Sequence, residues 1–230
     1  MKNSTSGLNQ KSAAIMAAIA LFANIILAGS VHSVILPKIV GIGDATNILE
    51  NIVANEQQFR IAIFLLTLNV IADIVVFWAL YFILKPVNKS ISILAALFGA
   101  MHTVVALSAI NNLSDLLHLT CYPLFNTDME AAIALHAFHW AWQAGMVMFG
   151  IHLILRGWLL YRAAYMDKML GIVMFIVAAG YLIDGFGQIL ISGYNSSVVS
   201  VYVGWMEALL PIWLIIKVRK AETLSPKVKK

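Results

Sequence analysis

IAIFLLTLNVIADIVVFWALYFIL, residues 61–84, reads as one membrane-crossing helix, and the rest of the chain is read from it. A bilayer core about 30 Å thick is crossed by about 20 apolar residues rising 1.5 Å each. This run exceeds that length with Asp73 as its one charged residue. A helix buried in a soluble bundle would carry a polar stripe, whereas this run is apolar nearly all round. Working outward, five further runs meet the same length, at 13–36, 91–113, 131–154, 169–190 and 197–216, and none of the six contains Lys or Arg. The expected fold is an all-α integral membrane protein, a six-transmembrane-helix bundle over 13–216. An N-terminal tail at 1–12 and a basic tail at 217–230 flank it. Composition agrees: 61% of the 230 residues are hydrophobic and 11% charged, against roughly half and a quarter in soluble domains.

Lys and Arg counted in the short connections set the orientation. Thirteen of the fifteen fall on one side: Lys2, Lys11, Lys85, Lys89, Arg156, Arg162, Lys168 and six in 217–230, against Lys38 and Arg60 on the other. Both termini are therefore expected in the cytoplasm. The formal charge of +4 does not read as nucleic-acid binding, because the basic residues sit at the ends of apolar runs. The expected partner is the lipid bilayer, with a homo-oligomer left open. Lys2 and Lys11 before an apolar run resemble a signal peptide, but no small-residue cleavage site interrupts 13–36, so the first span is expected to be retained. The connection at 37–60 carries a helical pattern, Ile48, Leu49, Ile52 and Val53, behind a cap at Asp44. Cys121, alone, forms no intramolecular disulfide and is silent on redox compartment.

Ionisable groups inside a bilayer cost about 2.5 to 3.5 kcal/mol each on insertion scales, so they are found with partners. Asp73, Asp184 and Glu207 qualify. With no Lys or Arg in any span, a proton, a histidine or a bound cation must balance them. Asp73, Asn69, Asn24, His102, Gln143 and Glu207 fall near mid-span; His32, Asn111, His136, His139, Asp184 and Gln188 fall in the outer half. On the fourth span His136, His139, Trp140 and Gln143 lie within about 100° of one another, and on the fifth Tyr181, Asp184 and Gln188 share a face. The pattern predicts an outward-facing polar cavity whose candidate lining is His32, Asp73, His102, His136, His139, Gln143, Asp184, Gln188 and Glu207. His136, His139 and Asp184 are the candidates for a metal. Against this stands helix glue: each Asn, Gln or His that bonds a neighbouring helix contributes roughly 0.6 to 2 kcal/mol. Asn24 and His152 read that way, and Ala13, Ala14, Ala17 and Ala18 read as close packing.

Histidines and carboxylates without fixed basic partners suit a proton, a metal cation or a small solute, bound or transported. The runner-up is a haem redox protein with axial histidines, from the pair His102 and His139 or the pair His32 and His136. A helper subunit without a ligand is the third reading. No HExxH, GxSxG or Walker sequence is present to support catalysis.

Four runs in order, ANEQQFR at 54–60, ALYFILKPVNK at 79–89, FGIHLILRGWLLYR at 149–162 and GYLID at 180–184, resemble a bacterial membrane family filed as domain of unknown function 4386. The resemblance implies six spans in a bacterial cytoplasmic (inner) membrane and supplies no activity. Where the family tends to carry a proline before the fifth span, this chain reads YMDKMLG at 165–171.

Overall fold

The structure, a computed structural model, describes residues 9–41, 47–121, 127–194 and 198–219. Helix α1 (Gln10–Ser30) passes through a π turn (Val31–Ile35) into α2 (Leu36–Val40), and a short α3 (Ile48–Ala54) follows. Then come α4 (Glu56–Leu84), α5 (Lys89–Cys121), α6 (Thr127–Arg162) and α7 (Lys168–Leu190). The chain ends in α8 (Val198–Gly204), a 3-10 turn (Trp205–Ala208) and α9 (Leu209–Arg219). No strand occurs among the described residues. The expected tails beyond them, at 1–8 and 220–230, and the cap expected at Asp44 lie outside the description.

Among the described residues five helices are long and apolar enough to cross a membrane: Gln10–Val40, Glu56–Leu84, Lys89–Cys121, Asp128–Arg162 and Lys168–Leu190. The sixth apolar run, expected at 197–216, is not one long helix but α8, the 3-10 turn and α9. Proline explains the interruption. Pro211 has no N–H to donate to the carbonyl of Glu207 four residues back, so regular α bonding fails there. Leu209 N–H instead bonds Met206 O over three residues. The π turn in the first span has the same origin: Pro37 leaves the Ser33 carbonyl without its α-helical donor.

Each long helix packs on the next in sequence, α1 on α4, α4 on α5, α5 on α6, α6 on α7 and α7 on α8, and α9 packs back on α1. The result is a closed ring. Its close approaches use small residues, as bilayer helices do when lipid supplies no hydrophobic drive. Ala13, Ala14 and Ala17 are fully buried and Ala18 nearly so. At the α6–α7 crossing a Cβ on Gly171 would lie 2.7 Å from Gly157 O. Large apolar side chains such as Ile26, Val104 and Ile133 point outward and stay exposed, as a lipid-facing surface requires.

Four cations make cation–π contacts at one end of the ring, where α4, α6 and α9 finish and α7 begins: Lys85 lies 4.3 Å from the Phe82 ring and 5.8 Å from Tyr81, Arg162 5.5 Å from Trp158, Lys168 5.6 Å from Tyr161 and Lys217 5.4 Å from Trp213. There, in the connection to α7, Tyr165 donates to Ile83 O at 2.7 Å. Burial pushes its phenol up to about 12. At the other end α3 lays Ile48 and Ile52 into the core against α5 and α6, realising the helical pattern seen in the sequence.

The apolar core is in two parts. One fills the basic end and includes Ala13, Ala17 and Leu21 of α1, Val76, Leu80 and Leu84 of α4 and Leu153 of α6. The other fills the far end and includes Val31, Phe59, Ala106 and Phe138. Between them lies a polar belt.

Candidate functional site

The belt lines a cavity of about 710 Å³ reached by residues of every long helix and of the 3-10 turn. Asp73 on α4 is 7% exposed and forms its floor on one side. Asn24 Nδ2 of α1 donates to Asp73 Oδ1 at 2.6 Å, and Asn69 Nδ2, one turn back on α4, reaches Oδ2 at 3.4 Å. His102 Nε2 of α5 stands 3.8 Å from Asp73 Oδ2. The other ring nitrogen of His102, Nδ1, is 2.9 Å from Gly145 O of α6 and must carry the proton to donate to it, leaving the Nε2 lone pair turned to the carboxyl group. A Cβ on Gly145 would sit 3.3 Å from that nitrogen, so the glycine makes room for the ring.

The opposite side of the floor is built by Arg156, Tyr181 and Glu207. Arg156 is 1% exposed, and its Nη2 lies 3.5 Å from Glu207 Oε2 and 3.0 Å from Met174 Sδ. Tyr181 OH of α7 donates to Glu207 Oε1 at 2.7 Å. Glu207 can face this pair because the 3-10 turn holds it there. The expectation that no basic side chain is available to the buried carboxylates is corrected by Arg156. The apolar run ends at 154 and so places Arg156 in an inner connection, but α6 continues unbroken to Arg162. The cue was present: His152 and Arg156 are one helical turn apart and follow Phe149 on the same side.

Toward the far end the cavity is walled by His32 and Ser33 of the π turn, by Pro37, Val40 and Gly41, and by Phe138, His139, Trp142 and Gln143 of α6. The His32 ring stacks on Phe138 at 6.1 Å and tilts on Trp142 at 4.5 Å, and its Nε2 is buried with no partner among the described residues. His139 Nδ1 bonds Leu135 O at 2.9 Å within its own helix. Of the sequence candidates, His32, Asp73, His102, His139, Gln143 and Glu207 therefore meet in one cavity, joined by Asn24 and Asn69, by Arg156 and by Tyr181.

His136, Asp184 and Gln188 lie elsewhere. His136 is exposed and accepts from Trp140 Nε1 at 2.9 Å. Asp184 is fully buried where α7 meets the start of α8; it accepts from Tyr194 OH at 2.8 Å and from Val199 N–H at 3.1 Å. This is the office of a helix cap. The carboxylate beside it holds the Tyr194 phenol above its ordinary range. Gln188 is half-buried, outside the lining, with Oε1 unpartnered among the described residues. The proposed metal trio of His136, His139 and Asp184 does not assemble, and no three His, Cys, Asp or Glu side chains converge on a metal position among the described residues. Of the axial pairs for a haem, His32 lines the cavity while His136 is exposed outside its lining. His102 and His139 both line the cavity, with His102 committed to Gly145 and Asp73.

His152 works as helix glue. Its Nδ1 bonds Ala95 O of α5 at 2.7 Å while His102 of α5 bonds Gly145 O of α6, so the two antiparallel helices exchange reciprocal histidine bonds.

Comparisons with known proteins show a family and supply no activity. The family model described as "Domain of unknown function (DUF4386)" matches residues 14–217. An "Uncharacterized protein" of Archaeoglobus fulgidus is 36% identical over 153 residues, covering 66% of this chain and 81% of that protein. No solved structure matches.

Proposed function

The chain belongs to the domain of unknown function 4386 family, and on that premise we propose that it is a six-span membrane protein that binds or carries a small solute in a cavity open to the outside. One observation carries this reading: each of the six apolar runs sends a polar side chain into the same cavity, Asn24, Asp73, His102, Gln143, Tyr181 and Glu207 in chain order. Glue between neighbours needs only pairwise bonds, as His152 to Ala95 illustrates. Six helices aiming polar groups at one point, at the cost of a π turn and a 3-10 turn, fit a binding site better.

The basic end, with its cation–π pairs, is the cytoplasmic side in this reading, which puts both termini inside and the α2 end of the cavity outside. Alternate sides for successive connections require the divided sixth run, α8 to α9, to cross as well.

Gly29 offers the test. It lines the cavity, and a Cβ there meets nothing within 4 Å. Gly29→Cys, made in a Cys121→Ser background, should react in the purified protein with a small water-soluble maleimide at a rate near that of an exposed thiol. Gly29→Leu should fold, since it removes a helix-weakening glycine, worth about 1 kcal/mol. A Gly29→Cys thiol that the reagent never reaches would mean a closed, dry core and would remove the solute-binding reading.

A further inference from the structure

The floor of the cavity holds two carboxylates and one guanidinium, and the geometry sorts them. Glu207 is matched, by Arg156 at 3.5 Å and by the Tyr181 hydroxyl at 2.7 Å. Asp73 has no Lys or Arg within ion-pair distance among the described residues; it meets two amides and His102 Nε2 at 3.8 Å. With both carboxyls ionised and the histidines neutral, the floor would carry one more negative charge than positive, and the surplus would sit on Asp73.

The atoms beside Asp73 say what would balance it. Asn24 and Asn69 each turn an amide N–H to its carboxylate, and the Oδ1 of each is buried with no partner among the described residues. A carboxylate flanked by two unsatisfied carbonyl oxygens is a set of acceptors awaiting donors, and a primary ammonium brings three N–H donors and one positive charge. The walls above it include Phe77, Phe149 and Trp142. Aromatic faces stabilise a desolvated ammonium and give room to an apolar substituent. Arg156 Nε and Nη1, also without partners, provide a second contact for a ligand that carries an oxygen acceptor.

From this we infer that the cavity takes a small organic primary amine in its ammonium form, anchored on Asp73 with Asn24 and Asn69 as the flanking acceptors. The inference rests on the solute-binding reading and names its solute class. A bare proton on Asp73 would balance the charge but would leave both amide oxygens unsatisfied and the aromatic room unused.

Benzylamine and benzyl alcohol, matched in shape and differing in charge and in donor number, are the probes. Added to the purified full chain in detergent, benzylamine should raise the melting midpoint saturably while benzyl alcohol has no effect. Asp73→Asn, which keeps the shape, should weaken benzylamine binding by roughly thirtyfold or more, as expected when one partner of a buried charge pair is removed. If benzyl alcohol stabilises the wild-type chain as well as benzylamine does, the ammonium assignment is overturned without recourse to any variant. It is likewise overturned if Asp73→Asn binds benzylamine as the wild type does, or if benzylamine has no effect while the Gly29→Cys thiol is still labelled. In those cases a solute cavity of another chemistry survives. Absence of both the benzylamine effect and the labelling would take down the underlying reading as well.

Discussion

Arg156 and Glu207 are the residues whose removal should be felt most. Breaking a buried ion pair on one side leaves the other charge uncompensated, at roughly 3 to 5 kcal/mol, whereas replacing both partners by neutral groups of similar size is often close to neutral. Arg156→Met is therefore expected to lower the melting midpoint of the purified protein sharply, and Arg156→Met with Glu207→Gln to recover most of the loss. Equal loss in the single and double variants would show that the two are not energetically paired. At this scale the sequence was informative but incomplete. It singled out Asp73, His102 and Glu207 from their depth in apolar runs. It ranked Asp184 beside the histidines, since a linear reading does not reveal that the end of α7 turns its carboxylate onto the start of α8. It passed over Arg156 because hydropathy ends a span where charge begins, whereas this guanidinium is buried by its pairing with Glu207.

Elements were legible where hydrophobicity alone decides them. The runs at 13–36, 61–84, 91–113, 131–154 and 169–190 all fall within helices, which extend past the apolar limits because an α-helix need not stop at the bilayer surface. The divided sixth run was not foreseen, because averaged hydropathy ignores the missing N–H of Pro211. That proline and Pro37 mark the two irregular turns that bring Glu207 and His32 to the cavity. Helix crossings were less legible, since they depend on which glycines meet. Gly171 is decisive at the α6–α7 crossing, where an added Cβ would meet Gly157 O and the backbone of Tyr161 at 2.7 and 2.8 Å. Backbone cannot move aside as a flexible side chain does. Gly171→Val is expected to cost about 1 to 3 kcal/mol through overpacking, read as a lowered melting midpoint, while Gly29→Leu should show no such loss. A Gly171→Val protein as stable as the wild type would contradict the close crossing.

For the whole molecule, the ring of helices closes around a polar cavity, and the central proposal is that this cavity opens to water on the outer side of the membrane only. The ring follows from sequential packing and the return of α9 to α1; the proposed side rests on where Lys and Arg collect. Sided labelling in intact cells tests both together. Single cysteines at Gly29 in the cavity and at Lys89 at the start of α5, each in a Cys121→Ser background, are exposed to a membrane-impermeant maleimide before and after the membrane is permeabilised. Gly29→Cys is expected to be labelled in intact cells and Lys89→Cys only after permeabilisation. Labelling of Lys89→Cys in intact cells, with Gly29→Cys protected until the membrane is opened, would contradict it.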